Sequence, residues 1–104
     1  MRRVVVTGLG VVSSIGNDAV QVLESLKNGR SGIVANEDMQ EHGFRSQVAG
    51  SLKIDVGELI NKRTLRFMGP GAAYAFIAME QAIADAGLDL DMVSNPRTGL
   101  IAGS

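Results

Sequence analysis

Residues 4–16 read VVVTGLGVVSSIG, and the fold turns on what the two glycines of that stretch do. Three consecutive β-branched residues, Val4–Val6, favour a strand, and an unalternating apolar run is the pattern of one buried on both faces. Gly8 and Gly10 then end or kink it. A dinucleotide-binding loop needs a third glycine where Ser13 stands, a helix opening at once, and an acid about 20 positions on at the end of a second strand. Here the predicted helix waits until about Asn17, Glu37 and Asp38 follow nothing that reads as a second strand, and no Gly-Lys-Ser/Thr is present. An export signal fits no better. Arg2 and Arg3 precede the apolar run, but Thr7, Gly8 and Gly10 interrupt it and no A-x-A site follows. The expectation is therefore structural: the glycines allow a tight turn and close backbone packing.

Working outward, Asn17 and Asp18 open a helix predicted over 17–28, with Ala19, Val22, Leu23 and Leu26 at helical spacing and Asn28-Gly29 closing it. Residues 30–57 read as loop with short β pieces; RSQVAG (45–50) and the alternation Leu52, Ile54, Val56 are the candidates. Residues 58–66 are expected to form a short basic helical turn. The segment GPGAAYAFIAMEQAIADAGL carries the clearest helix. Pro70 lies in the first turn, Gly87-Leu88 closes the end, and Ala72, Ala75, Phe76, Met79, Ala82, Ile83 and Ala86 form an apolar stripe. Its alanines permit close approach of a neighbouring element. After the Asn95-Pro96 turn, Thr98–Ala102 reads as a buried strand. The order strand, helix, irregular section, long helix, strand predicts an α/β fold with parallel strands flanked by helices.

The 104 residues allow one domain or less. Two strands do not make a sheet of ordinary size, so residues 1–104 are expected to be an incomplete front portion of a larger domain. A formal net charge of −1 gives no push toward nucleic acid or acidic membranes. The charge is uneven: residues 1–66 hold nine Lys/Arg against seven Asp/Glu, residues 67–104 one against four. The absence of cysteine excludes disulfides, thiolate metal sites and a cysteine nucleophile from this chain, and no apolar run is long enough to span a bilayer.

Few side chains carry chemistry. His42, the sole histidine, stands in a polar stretch with no second ligand or nucleophile at a useful spacing. Ser13 and Ser14 lack a Gly-x-Ser-x-Gly frame, and Asp85, Asp89 and Asp91 lack metal-loop spacing. Lys62, Arg63 and Arg66 fall within one helical turn with no acid nearer than Glu58. Such a cluster is ordinarily a solvated face. Its sharper use is to receive an acidic partner, whose approach complementary charge accelerates. From the residues alone the catalytic, cofactor and metal assignments are none.

MRRVVVTGLGVVSSIGN resembles the start of the β-ketoacyl–acyl carrier protein synthases, the condensing enzymes of fatty acid synthesis. The resemblance continues, in order, through SLKNGRSGI, RFMGPGAAYAFIAMEQAIADAGL and NPRTGLIAGS, with HGFRSQVAG and RFM…AYAFIAMEQAI nearer to the type I enzymes. It implies a thiolase-like αβαβα layered fold, a cytoplasmic homodimer and no cofactor. It also implies a Cys-His-His centre outside these residues, which joins malonyl-carrier to an acyl-enzyme thioester with loss of CO2. By the same resemblance Lys62, Arg63 and Arg66 are implied as contacts to acyl carrier protein, with Arg45 a weaker candidate. MGPGAA departs from the Ser/Asp-rich helix start usual in relatives, which leaves the first turn of the long helix open. The alternatives are a stand-alone carrier-binding module and a nucleotide-binding fragment.

Overall fold

The computed structural model describes residues 1–103. They divide into two compact units: Met1–Val11 with the residues from Asp55 on, and Val12–Ile54.

The first unit is built on α5 (Pro70–Ala86), preceded by the single turns α3 (Val56–Leu59) and α4 (Lys62–Leu65) and followed by α6 (Leu90–Val93). Both expected signals bound α5. Pro70 occupies its first turn, where a missing N–H costs nothing. Gly87 ends it at φ 67°, and the N–H groups of Gly87 and Leu88 donate back to the carbonyls of Ala84 and Ile83 at 3.1 Å each. The departure at MGPGAA has a visible effect: Gly69 is the N-cap and supplies no side-chain acceptor to the exposed first-turn donors. Because an L side chain at positive φ crowds its own carbonyl, Gly87→Ala is expected to lower stability by about 1 kcal/mol. The check is the protein's urea midpoint at unchanged slope.

The opening glycines lie against this helix. Residues 8–11 run along α5, where the N–H of Leu9 donates to Asp85 Oδ2 at 2.9 Å and that of Val11 to Gln81 Oε1 at 3.0 Å. A Cβ on Gly8 would overlap Ala82 O and lie 2.8 Å from Ala86 Cβ; one on Gly10 would overlap Ala78 O and lie 2.8 Å from Ala82 N. Two residues apart on extended backbone share a side, and Ala78, Ala82 and Ala86 are one turn apart on the helix. Gly-x-Gly thus fits an Ala-x3-Ala-x3-Ala row at backbone contact, as the expectation of close packing required.

Two expected strands do not form. Among the described residues Val4–Val6 and Thr98–Ala102 have no ladder partner, and they lie in solvent: Val4 is 93% exposed and Ile101 99%. β-Branched composition favours extended backbone, but a strand is completed only by a neighbour. The α5 stripe is corrected too. Its buried residues are Ala73 and Ile77, with Ile60 the only other buried apolar side chain among the described residues, while Ala72, Ala75 and Met79 are exposed. The helix is apolar on both sides, a pattern that belongs to helices covered all round. A groove of about 600 Å3 runs along its exposed side, between Ala72, Phe76 and Met79 and the tail at Leu100 and Ile101.

The second unit contains α1 (Ala19–Lys27), β1 (Ile33–Ala35), α2 (Glu37–Glu41) and β2 (Val48–Gly50). The expected helix over 17–28 is present, capped by Asp18, whose carboxylate accepts from Gln21 N, rather than by Asn17. Its inward residue is Ser25, while Leu23 and Leu26 are exposed. The strand expected within RSQVAG appears as β2, but it pairs antiparallel with β1 in the register Ile33↔Gly50, Val34↔Ala49, Ala35↔Val48. This is the only sheet among the described residues, so the parallel central strands expected of the chain are not formed within it. The alternation at 52–56 is no strand; Val56 opens α3 because Asp55 caps it through Gly57 N.

Candidate functional site

The three cations expected to act together are brought together. Ile60 closes α3 in extended backbone, and Asn61 restarts the helix by accepting from Arg63 N at 2.9 Å. One turn of α4 then places Lys62 and Arg66 four residues apart on one side, with Arg63 beside them. All three side chains are exposed. Among the described residues the one ion pair is Arg30 with Glu24 at 2.9 Å, so no carboxylate neutralises this face. Unpaired exposed cations act over about a Debye length, ~8–10 Å at ordinary salt. The face can attract and orient an anionic surface.

Two features of the site were not anticipated. The Arg66 guanidinium lies 5.1 Å from the centre of the Phe67 ring, which is itself 81% exposed. That contact limits the wandering of Arg66 and is worth about 0.5–1 kcal/mol at such an exposed position. The Asn61 cap fixes the start of the turn. The pairing Asn-x-Arg was readable in principle as a cap; the ring contact required coordinates. Arg45 is exposed and belongs to the second unit.

Three other candidates are occupied structurally. His42 closes α2, and its Nδ1 lies 2.7 Å from Asp38 O. Asp85 holds Leu9 N, and Asp89 caps α6 through Met92 N at 2.9 Å. At Gly8–Gly10 the backbone donors face a carboxylate and an amide oxygen, so a phosphate approaching there meets used donors and a like charge. Among the described residues no helix is long and apolar enough to cross a membrane.

This chain belongs to the β-ketoacyl synthase family: the family model "Beta-ketoacyl synthase, N-terminal domain" matches residues 1–104. It is similar to 3-oxoacyl-[acyl-carrier-protein] synthase 1 of Escherichia coli K12, 53% identical over 105 residues covering all of this chain and 26% of the relative. The corresponding synthase 1 of Haemophilus influenzae is 52% identical over 104 residues, again all of this chain and 26% of the relative. Synthase 2 of Vibrio harveyi is 36% identical over 104 residues, 99% of this chain and 25% of the relative. The higher identities to type 1 agree with the expectation drawn from HGFRSQVAG and RFM…AYAFIAMEQAI. The chain spans about a quarter of the length of these curated relatives.

Proposed function

We propose that residues 1–104 are the opening part of a type I condensing enzyme of fatty acid synthesis, an incomplete piece of its N-terminal domain. The observation that carries this reading is the 53% identity, running the whole chain, to a 3-oxoacyl-[acyl-carrier-protein] synthase 1. The reaction joins a malonyl group on carrier protein to an acyl-enzyme thioester, releasing CO2 and giving 3-oxoacyl-carrier protein. It needs a thiolate to hold the acyl group and donors for the charge that develops as carbon bonds to carbon. The chain contains no cysteine, and its one histidine is engaged at a helix end. The work of these residues is therefore to deliver and to scaffold. Lys62, Arg63 and Arg66 receive the acidic acyl carrier protein, supported by their shared turn, exposure and lack of carboxylate partners.

The same reading accounts for the uncovered apolar surface. In a thiolase-like αβαβα layered fold, Val4–Val6 and Thr98–Ala102 become parallel strands of a completed sheet, and the exposed side of α5 is covered by a further layer. Support comes from the β-branched run at 71–93% exposure and from Leu100 and Ile101 at 71% and 99%. The enzyme is read as a cytoplasmic homodimer without a cofactor. A stand-alone carrier-binding module shares the docking face but predicts no role in condensation.

Turnover separates these readings. Malonyl- and acyl-carrier protein supplied to the full-length protein should yield 3-oxoacyl-carrier protein, and the purified 104-residue chain should yield none. Absence of condensation by the full-length protein, or real product from the short chain, would overturn the proposal.

A further inference from the structure

Just past the opening glycines, the chain borders a cleft that the docking face and the scaffold leave unused. Within the second unit, Ser13, Ser14, Asn17, Arg30, Ser31 and Lys53 line a space of about 280 Å3. Its wall includes two cations and four serine hydroxyls, and no carboxylate. Polar bonds hold its frame. Ser25, 6% exposed, donates its hydroxyl to Ile15 O at 2.6 Å, pinning the turn to α1. Ser13 and Gly16 exchange backbone bonds at 2.9 and 3.3 Å. Asn17 Nδ2 donates to Lys53 O at 2.9 Å, tying one rim to the other.

Against that frame, donors are left over. The Lys53 ammonium forms no ion pair, and the Ser14 hydroxyl has no hydrogen-bond partner among the described residues. Ser31 Oγ accepts from Ile33 N at 3.2 Å, which leaves its own proton to give. Arg30 spends Nη2 on Glu24 at 2.9 Å, and its guanidinium carries further N–H groups. Ammonium, guanidinium and hydroxyl donors lining one cleft, with Glu24 taking one N–H of Arg30, are what a tetrahedral oxyanion can use, because charge-assisted bonds to it are about twice as strong as neutral ones. Ile15 is the one large apolar side chain in its lining, a poor match for an acyl chain.

We propose that this cleft binds a phosphate-type oxyanion, with Lys53 and Ser14 as its principal donors and Ser31 and Arg30 completing the set. The anion is either free phosphate or the phosphate group of a small soluble ester. The site lies in a different unit from the Lys62–Arg66 face and stands independently of the condensing role.

The test titrates the full-length protein carrying these residues with inorganic phosphate and, separately, with glycerol 3-phosphate, against chloride at matched ionic strength. Binding is read by phosphorus-31 line broadening and by melting temperature. Both anions should broaden and should raise the melting midpoint beyond chloride, the rise growing with concentration. Lys53→Gln should weaken binding about tenfold or more, the scale of a lost charged hydrogen bond. Ser14→Ala should weaken it less, Lys53→Arg should restore most of it, and Arg63→Gln should leave it unchanged. Equal affinity for both anions means the phosphate group alone is recognised; tighter ester binding means its remainder also makes contact. Either supports the site. Anion effects no larger than chloride, Lys53→Gln binding like the parent, or an equal loss in Arg63→Gln would overturn it.

Discussion

Gly10→Ala should destabilise the protein by about 3 kcal/mol, the upper range for forced overpacking and a large share of an ordinary stability. The added methyl overlaps the Ala78 carbonyl oxygen and sits 2.8 Å from Ala82 N. Those are backbone atoms in the middle of a 17-residue helix, so no rotamer change relieves the clash. The segment must lift from α5, and Leu9 N and Val11 N then lose Asp85 and Gln81. Gly71→Ala makes a matched control. Nothing described lies within 4 Å of a Cβ there, and the site is in the first turn of the same helix. Alanine's advantage over glycine in a helix is about 0.5–1 kcal/mol, so this variant should melt at or above the parent temperature. Urea midpoints of the two variants provide the measurement. A Gly10→Ala protein as stable as Gly71→Ala would show that the close approach is absent.

The second large effect concerns function with stability held nearly fixed. Reversing Lys62, Arg63 and Arg66 to glutamate turns an unpaired cationic face anionic. Like-charge contact with an acidic carrier costs several kcal/mol, so kcat/KM for carrier-bound substrate should fall by about 100-fold or more. The three side chains are exposed and without carboxylate partners, so the melting temperature should move little, with Arg66 losing only its Phe67 contact. Turnover of a small thioester lacking the carrier should be preserved, which separates docking from catalysis. Raising salt should slow the parent and speed the triple variant, because screening weakens the parent's attraction and the variant's repulsion alike. A triple variant with the parent's carrier-dependent kcat/KM would remove these residues from docking.

How far the sequence could be read depended on the range of the forces involved. The ends of α5 were legible because Pro70 and Gly87 act within a few residues of themselves. Its buried side was not. With alanines and other apolar residues around the whole circumference, periodicity favoured Ala72, Ala75 and Met79, whereas Ala73 and Ile77 are the residues buried. Val4–Val6 and Thr98–Ala102 showed strand composition, but pairing depends on neighbours that composition does not supply. The five residues of α2 were too few for a periodic signal; its traces are the Asn36 cap, which accepts from Met39 N, and the acids Glu37 and Asp38 in the first turn. The cation cluster was legible because one helical turn is local and charge is carried by residue type. The Gln81 and Asp85 contacts to Val11 and Leu9 were not, since they span 70 and 76 positions.

That separation also orders events at the ribosome. The groove into which Gly8 and Gly10 settle is made by Ala78, Ala82 and Ala86, residues translated several seconds after the glycines at the ~5–20 residues per second of protein synthesis. Until then residues 8–11 have no docking surface of their own, and closing so long a loop is entropically slow. Nascent chains of this protein therefore carry the Gly-x-Gly segment unpaired through that interval.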